Sequence, residues 1–352
     1  MKTIMLSLDR RILDNGSAVQ KRMISQSQEY DTLHIIVLVS AGDSFSERVN
    51  GRLVIHGLSA RTKLGLWLAG LWRSLRILRN TNKFEWEISV QDPFFVGLLG
   101  WLVSRLCNIA LQVQVHVDFI NRFYKKLSIG NHIRYRIGKW VVQKAHKVRT
   151  VSNHTKRSLV GAGVTTDIVV LPVCLQKDFL VIEESGQKSL FPQFSHVLLF
   201  VGRFEKEKNL KMLVRSFLVL LEKYPQAGLV LVGDGSEKIE LERYVKKHGI
   251  IDQVVFEGWQ DSMLEYYQSA DVLVVSSWYE GFGLVIAEAL MAGCPVVSTN
   301  VGIAADVLPS FAVTPINDYN KLSESVQTVF EGLYTEKEMA VAQNKLQTLF
   351  NL

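Results

Sequence analysis

The chain reads as an α/β protein made of two doubly wound parallel-sheet domains. Three observations lead there. Short apolar runs alternate with segments of helical period, the alternation pauses once and restarts, and 352 residues exceed what one hydrophobic core ordinarily serves.

In the first half, KTIMLSLD, LHIIVLV, EISVQD, ALQVQVH, KVRTVS and IVVLPV are short apolar runs of the kind expected of buried strands. Between them lie helical patterns over Ser17–Tyr30, Lys63–Arg79, Phe94–Cys107, Asn131–Ala145 and Asn153–Val160. Strands alternating with helices call for a parallel sheet. The pattern pauses over Cys174–Ser195, which assigns a first domain to 1–175, a linker to 176–195 and a second domain to 196–352. HVLLFVGRF, GLVLVGDG, VVFEG, DVLVVSS and PVVST are then strands, separated by helices over Asn209–Tyr224, Glu237–His248, Met263–Ala270 and from near Leu284 to Gly293. Ligands of such folds bind outside the carboxyl ends of the strands.

With 48% hydrophobic and 21% charged residues the composition is that of a soluble globular protein. Cys107, Cys174 and Cys294 are odd in number and widely spaced, which points to a reducing, cytoplasmic compartment rather than a disulfide framework or zinc site. MKTIMLSLDRR carries too short an apolar run for the core of a signal peptide. Arg105, Asn108, Gln112 and Gln114 interrupt the greasy region 93–117, so it is expected to be helix plus buried strand, not a membrane span. Charge divides unevenly: residues 1–175 hold 25 Lys and Arg against 11 Asp and Glu, a net of +14, while the remainder carries −8. The basic half points to an anionic surface.

The chemistry concentrates in SSWYEGFGLVIAEALMAGCPVVS, residues 276–298. A buried strand runs into a glycine turn at Gly281 and Gly283, and a helix begins near Leu284. Unpaired N–H groups at such a start, with the helix dipole, suit a diphosphate. Glu280 precedes the helix and Glu288 lies one turn inside it. Upstream, Arg203 ends the strand of VGRFEKEKN, and Lys208 follows five residues later. A surface glutamate favoured by the dipole, or an arginine paired with Glu205 or Glu207 on a solvated turn, is the plainer reading of each residue alone.

Together these motifs resemble the retaining family 4 glycosyltransferases, whose GT-B fold sets two Rossmann-like domains facing across a cleft. The resemblance covers most of the chain. It implies that Glu280 faces the donor sugar, that Glu288 accepts hydrogen bonds from the ribose hydroxyls, and that Arg203 and Lys208 meet the diphosphate. The turn residues Gly281, Phe282, Gly283 and Leu284, and Gly233 in the VGDG turn, would lie against the donor. In FEGW, Trp259 would stack on a base or pack on the next helix. His116 in LQVQVHVDF would touch the transferred sugar from the first domain. The family usually has glycine soon after this histidine, and Asp118 leaves three roles open: acceptor contact, histidine partner or loop turn. Gly16 and Ser17 in LDNGSAVQKR would meet a donor phosphate or cap a helix, since one of the family's two usual glycines is missing.

No Asp-x-Asp, histidine cluster or cysteine pair offers a metal site, so no metal or cofactor is expected beside the nucleotide-sugar co-substrate. Walker-type and GxGxxG motifs are absent too. The implied activity is retaining transfer from a nucleotide sugar, UDP-linked rather than GDP-linked, to a glycan or lipid-linked acceptor in cell-envelope polysaccharide synthesis. Two alternatives stand beside it: a nucleotide-sugar epimerase of the same fold, and a non-catalytic membrane-associated partner subunit. The resemblance also implies a C-terminal helix returning to the first domain, for which little chain follows Ala340.

Between Arg61 and Arg157 there are 18 basic residues and four acids. On the 63–79 helix, Leu64, Trp67, Leu68, Leu71, Leu75 and Leu78 recur at helical spacing beside Arg73, Arg76 and Arg79, and FINRFYKKL adds aromatic and basic residues. Either the leucines face the core, or the helix lies on the anionic cytoplasmic face of a membrane. No nucleic-acid motif accompanies the basic residues, so no nucleic acid is expected as a partner.

Overall fold

The computed structural model describes residues 1–40, 45–49, 51–173 and 190–350. The linker assigned to 176–195 falls largely outside them, as does Cys174. The described chain forms two compact units: 1–120, 128–150 and 156–171 make the first, and 121–127, 151–155 and 172–352 the second. Segments 121–127 and 151–155 thus lie within the numerical limits 1–175 of the expected first domain but cluster with the second unit.

The first unit holds an eight-stranded sheet of β1 (Lys2–Ser7), β2 (Thr32–Val39), β3 (Phe45–Arg48), β4 (Leu53–Ser59), β5 (Trp86–Val90), β6 (Ala110–Val115), β7 (Lys147–Thr150) and β8 (Asp167–Val170). Their order is β3-β4-β2-β1-β5-β6-β7-β8, all parallel except β3 against β4. The antiparallel edge pair did not show in the apolar pattern. Helices α1 (Ala18–Gln26), α2 (Lys63–Leu78), α3 (Phe95–Cys107), α4 (Arg122–Leu127), α5 (Ile129–Lys144) and α6 (Asn153–Gly161) connect the strands. α4 belongs to the second unit, and α6 begins there.

The packing of α2 departs from its leucine pattern. Leu66, Gly70, Ser74 and Leu78 face inward, while Leu64, Leu68, Trp72 and Leu75 are exposed. The reason is close approach: a Cβ on Gly70 would lie 2.8 Å from Leu99 and 3.2 Å from Leu38. Gly70 and Ser74 let the middle of the helix sit tightly on its neighbours between Leu66 and Leu78, and the remaining bulky residues lie toward solvent.

The second unit holds β9 (His196–Val201), β10 (Ala227–Val232), β11 (Val254–Gly258), β12 (Val272–Val275), β13 (Val296–Thr299) and β14 (Val313–Thr314), all parallel, in the order β11-β10-β9-β12-β13-β14. Strands β10, β12 and β13 are buried at every residue, which explains their unbroken apolar runs. Around them pack α7 (Leu210–Leu221), α8 (Lys238–Lys247), α9 (Leu264–Ser269), α10 (Leu284–Met291), α11 (Ala304–Val307), α12 (Tyr319–Phe330) and α13 (Glu336–Phe350). Where little chain was expected for a last helix, α13 runs fifteen residues and packs on the second unit. It buries Ala342 and Leu346, and Gln343 Nε2 donates to Leu290 O at 2.8 Å.

Strand order reverses between β9 and β12: the chain steps outward through β10 and β11, then returns to the far side of β9. Their carboxyl ends therefore bound an open crevice, the place where α/β sheets hold ligands.

Candidate active site

The loops leaving β9 and β12 carry the residues singled out in the sequence. They are tied together: Ser276 Oγ donates to Lys208 O at 2.7 Å and Trp278 N to Glu207 O at 2.8 Å. Within that frame Lys208 Nζ lies 2.6 Å from Glu280 Oε1, and Ser277 Oγ donates to the same oxygen at 2.7 Å. The ion pair is largely withdrawn from water, with side-chain exposures of 17% and 15%. Arg203 is different. Its guanidinium stands in solvent, 3.4 Å from Glu207 Oε1, the plainer arrangement considered for it.

Downstream the turn is over-determined. Gly281 O accepts from Ser152 Oγ at 2.7 Å and Thr155 Oγ1 at 3.4 Å, and Phe282 O accepts from Ile303 N at 2.9 Å. A Cβ on Gly302, which has φ +53°, would stand 2.1 Å from Phe282 O, so only glycine fits. Buried Phe282 meets Phe350 of α13 edge-on at 5.6 Å. Gly283, in the left-handed region at φ +87°, starts α10 with no side-chain cap before Leu284. The first-turn N–H groups are thus not taken by a capping side chain.

Inside α10, Glu288 Oε2 accepts from Tyr267 Oη at 2.8 Å. Burial pushes the Glu288 carboxyl above the ordinary range, and the Tyr267 hydrogen bond opposes it. Burial, then the Glu288 charge, pushes the Tyr267 phenol well up. Tyr267 was not singled out in the sequence. The available signal was a tyrosine in the short helix just before a buried strand, whose hydroxyl needs a partner once buried.

The glycines of the VGDG turn are closely packed by the protein itself. At Gly233 the nearest atom to an added Cβ is Gly202 O, at 2.0 Å, and Gly233 N donates to Gly258 O at 2.7 Å. The missing side chain lets three strand ends converge. Trp259, just past β11, is exposed rather than packed on the following helix.

In the first unit, Gln114 Nε2 donates to Ser89 Oγ at 3.0 Å, which leaves Gln114 Oε1 to face His116 Nε2 at 3.2 Å. That network assigns the proton to Nε2 and leaves Nδ1 as the acceptor. Solvent reaches the His116 ring, yet desolvation by the surrounding protein, with Arg149 and Arg22 adding like charge, presses its pKa down to about 4. Asp118 is buried and accepts from Ser158 Oγ at 3.0 Å. Of the roles left open for Ser17, the helix cap is seen: its Oγ accepts from Gln20 N at 3.0 Å, and Gly16 N donates to Gln20 Oε1 at 2.9 Å.

The aromatics of FINRFYKKL are taken up by packing, as flat rings gain from edge and face contacts: Phe119 is buried in the first unit, edge-on to Phe94 at 5.4 Å, while Phe123 and Tyr124 pack within the second. Phe123 stacks on Trp278 at 5.6 Å, Tyr124 meets Tyr279 edge-on at 5.5 Å, and Asn121 Nδ2 donates to Trp278 O at 3.2 Å. Trp278 Nε1 in turn donates to Asn317 Oδ1 at 2.7 Å. The residue two before Glu280 is held from both sides.

Two parallel Rossmann-like domains define a GT-B glycosyltransferase fold, and comparison with solved structures agrees. HepE of Anabaena, determined in complex with UDP-glucose, superposes with a TM-score of 0.73 over 100% of this chain and 95% of that one at 17% identity. Residues 181–346 match the family model of glycosyl transferases group 1, and that stretch belongs to this family. The 2-deoxystreptamine glucosyltransferase of Streptomyces kanamyceticus is 24% identical over 284 residues, 75% of this chain and 73% of that protein. A lipopolysaccharide core biosynthesis glycosyltransferase of Rhizobium meliloti is 35% identical over 108 residues, 31% of each. Against other curated relatives that it matches the chain spans between 26% and 39% of their length.

Proposed function

We propose that the protein is a retaining glycosyltransferase that moves a sugar from a nucleotide sugar to a glycan or lipid-linked acceptor. The observation that carries this is the desolvated Lys208–Glu280 pair at the switch point of the second sheet, beside the uncapped start of α10. In this reading the donor sugar faces Glu280 and its diphosphate meets Lys208, whose ammonium has three protons and can hold Glu280 and a phosphate oxygen together. Arg203 swings from its solvent-exposed contact to the same diphosphate, and Glu288 receives the ribose hydroxyls. His116 contacts the sugar.

As the bond from the anomeric carbon to the diphosphate breaks, one further negative charge develops on the leaving nucleotide. Cations fixed there act more strongly on the transition state than on the bound donor. The new bond to the acceptor oxygen forms with configuration kept, and the acceptor proton leaves with the nucleoside diphosphate. Lys208 and Arg203 take the charge-neutralising part, so no metal is invoked. UDP is the favoured nucleotide, supported by the fold shared with a protein solved with UDP-glucose, and the lipopolysaccharide core relative supports a cell-envelope acceptor.

The test is a thermal-shift and donor-turnover screen against UDP-, GDP- and ADP-sugars. A ligand at 100 times its dissociation constant adds about 2.7 kcal/mol to stability. A shift with UDP-sugars, lost in Glu288→Gln, is expected. Turnover without acceptor to an epimeric nucleotide sugar would support the epimerase instead. Absence of both shift and turnover would leave the non-catalytic subunit.

A further inference from the structure

The outer faces of α2, α3 and α5 have no place in the proposed chemistry, yet they are the most unusual surface of the first unit. These helices follow β4, β5 and β6, whose crossovers all step in one direction across the sheet, so they share one layer. α3 lies between the other two and touches both, with Trp101 against Trp140 at 4.8 Å. None of the three contains a single Asp or Glu. On α2, Leu64, Leu68, Trp72 and Leu75 stand outward, Leu64 at 68% and Trp72 at 58% exposure. α5 adds Ile129 and Ile133, and α3 adds Leu106. A run of exposed apolar side chains over one layer is beyond the scattered single residues that surfaces ordinarily show.

Charge says what covers it. Arg76, Arg79, Arg105, Arg134 and Arg136 are exposed along the same helices. An open groove of about 640 Å³ is lined by Trp72, Leu75 and Leu106 together with Arg76, Arg79 and Lys83. The Arg76 guanidinium lies over the Trp72 ring, 5.0 Å from its centroid. Apolar side chains flanked by cations, with indole rings between them, match a surface that is oily below and anionic above.

We propose that this layer docks on the headgroup region of an anionic phospholipid bilayer, with Leu64, Leu68, Trp72 and Leu75 entering the acyl boundary and Arg76, Arg79 and Lys83 meeting the phosphates. The paired leucine and arginine stripes of α2 carry the contact. No helix among the described residues is long and apolar enough to cross a membrane, so the contact is peripheral. The inference stands apart from the glycosyltransferase reading, since lipid binding is measured without donor.

The experiment is co-sedimentation of the full chain with phosphatidylcholine vesicles, with and without phosphatidylglycerol. Binding is expected on the anionic vesicles and not on the neutral ones, and it weakens with salt as the Debye length shortens. Leu68→Glu with Trp72→Gln lowers the partition at least about tenfold at an unchanged unfolding midpoint. Leu64→Glu alone, at the most exposed position of the stripe, does the same to a smaller degree should the double variant misfold. Arg76→Gln with Arg79→Gln lowers binding to anionic vesicles. No partition onto anionic vesicles, or a partition that the folded Leu64 and Leu68/Trp72 variants leave intact, overturns the proposal. Capture by an acidic protein with vesicles ignored does so too.

Discussion

Replacing Lys208 by Met separates the energetic role of the ion pair from its proposed chemistry. The Met side chain keeps the aliphatic stem and removes the ammonium, leaving Glu280 with the Ser277 hydroxyl as its remaining partner among the two that hold Oε1. Breaking a fully buried pair costs about 3–5 kcal/mol because an uncompensated charge remains, whereas exposed pairs contribute about 0–1 kcal/mol. Side-chain exposures of 17% and 15% place this pair nearer the buried limit, and Ser277 still donates, so the expected loss is about 2–3 kcal/mol. The second unit should then melt roughly 5–10 °C lower. Adding Glu280→Gln removes the stranded charge and should bring stability back to within about 1 kcal/mol of the parent. Urea unfolding followed at pH 7, with probes that separate the two units, makes the measurement. A single variant within about 0.5 kcal/mol of the parent, or a double variant as unstable as the single, would refute the reasoning. Neither variant should recover donor binding, since each lacks the ammonium.

Three further outcomes follow from the same geometry. Tyr267→Phe removes the hydroxyl that opposes the effect of burial on Glu288, and should cost about 1.5–3 kcal/mol at pH 7. Since the folded carboxyl already titrates above 4.5, its charge is a burden at neutral pH that fades as pH falls through the raised value, so the deficit of the variant shrinks in acid. Unfolding at pH 7 and pH 4 tests the sign. Gly302→Ala forces a Cβ to 2.1 Å from Phe282 O at a positive φ, which should cost about 2 kcal/mol or more and abolish any nucleotide-induced thermal shift by displacing the turn before α10. Nitrogen-15 NMR of labelled histidine should find His116 neutral and protonated at Nε2 at pH 6, with titration well below its ordinary 6.5; a midpoint near 6.5 would contradict the structure.

Much of this was legible in the sequence because the two periodicities are distinct. Buried parallel strands are unbroken apolar runs, and all five strands expected in the second half are present. Glu280, Lys208, Glu288 and the turn glycines were legible because they sit at strand ends and a helix start. Their pairing was not, since the partners are 72 residues apart for Lys208–Glu280 and 21 for Tyr267–Glu288. The short antiparallel β3 escaped because an edge strand lacks a two-sided apolar signature, and β4, interior and mostly buried, because His56 and Gly57 interrupt its apolar run. The leucines of α2 left their inward face open for a different reason. Periodicity reports which residues share a face, but small residues at the contact decided which face turned inward. Phe123 and Tyr124 of FINRFYKKL lie against Trp278 and Tyr279, a placement that no local pattern encodes.

The features that break the ordinary rules of packing gather in two places, and they separate the two proposed roles. At the switch point of the second sheet there are a desolvated ion pair, a buried carboxyl with a raised pKa, and a helix started by a left-handed glycine without a side-chain cap. Each is unfavourable or neutral for folding alone, and in the proposed function each acquires a use in holding a diphosphate or a ribose. Structure elsewhere in the unit compensates: β10, β12 and β13 are fully buried, and the loops are cross-tied through Ser276, Trp278 and Gly281. On the first unit the departure is the reverse, with apolar side chains and the arginines of the acid-free helices α2, α3 and α5 left outside. Charge hidden in one unit and oil shown on the other are what the two proposals together require: a charged, water-borne donor held by the second unit and a lipid surface met by the first.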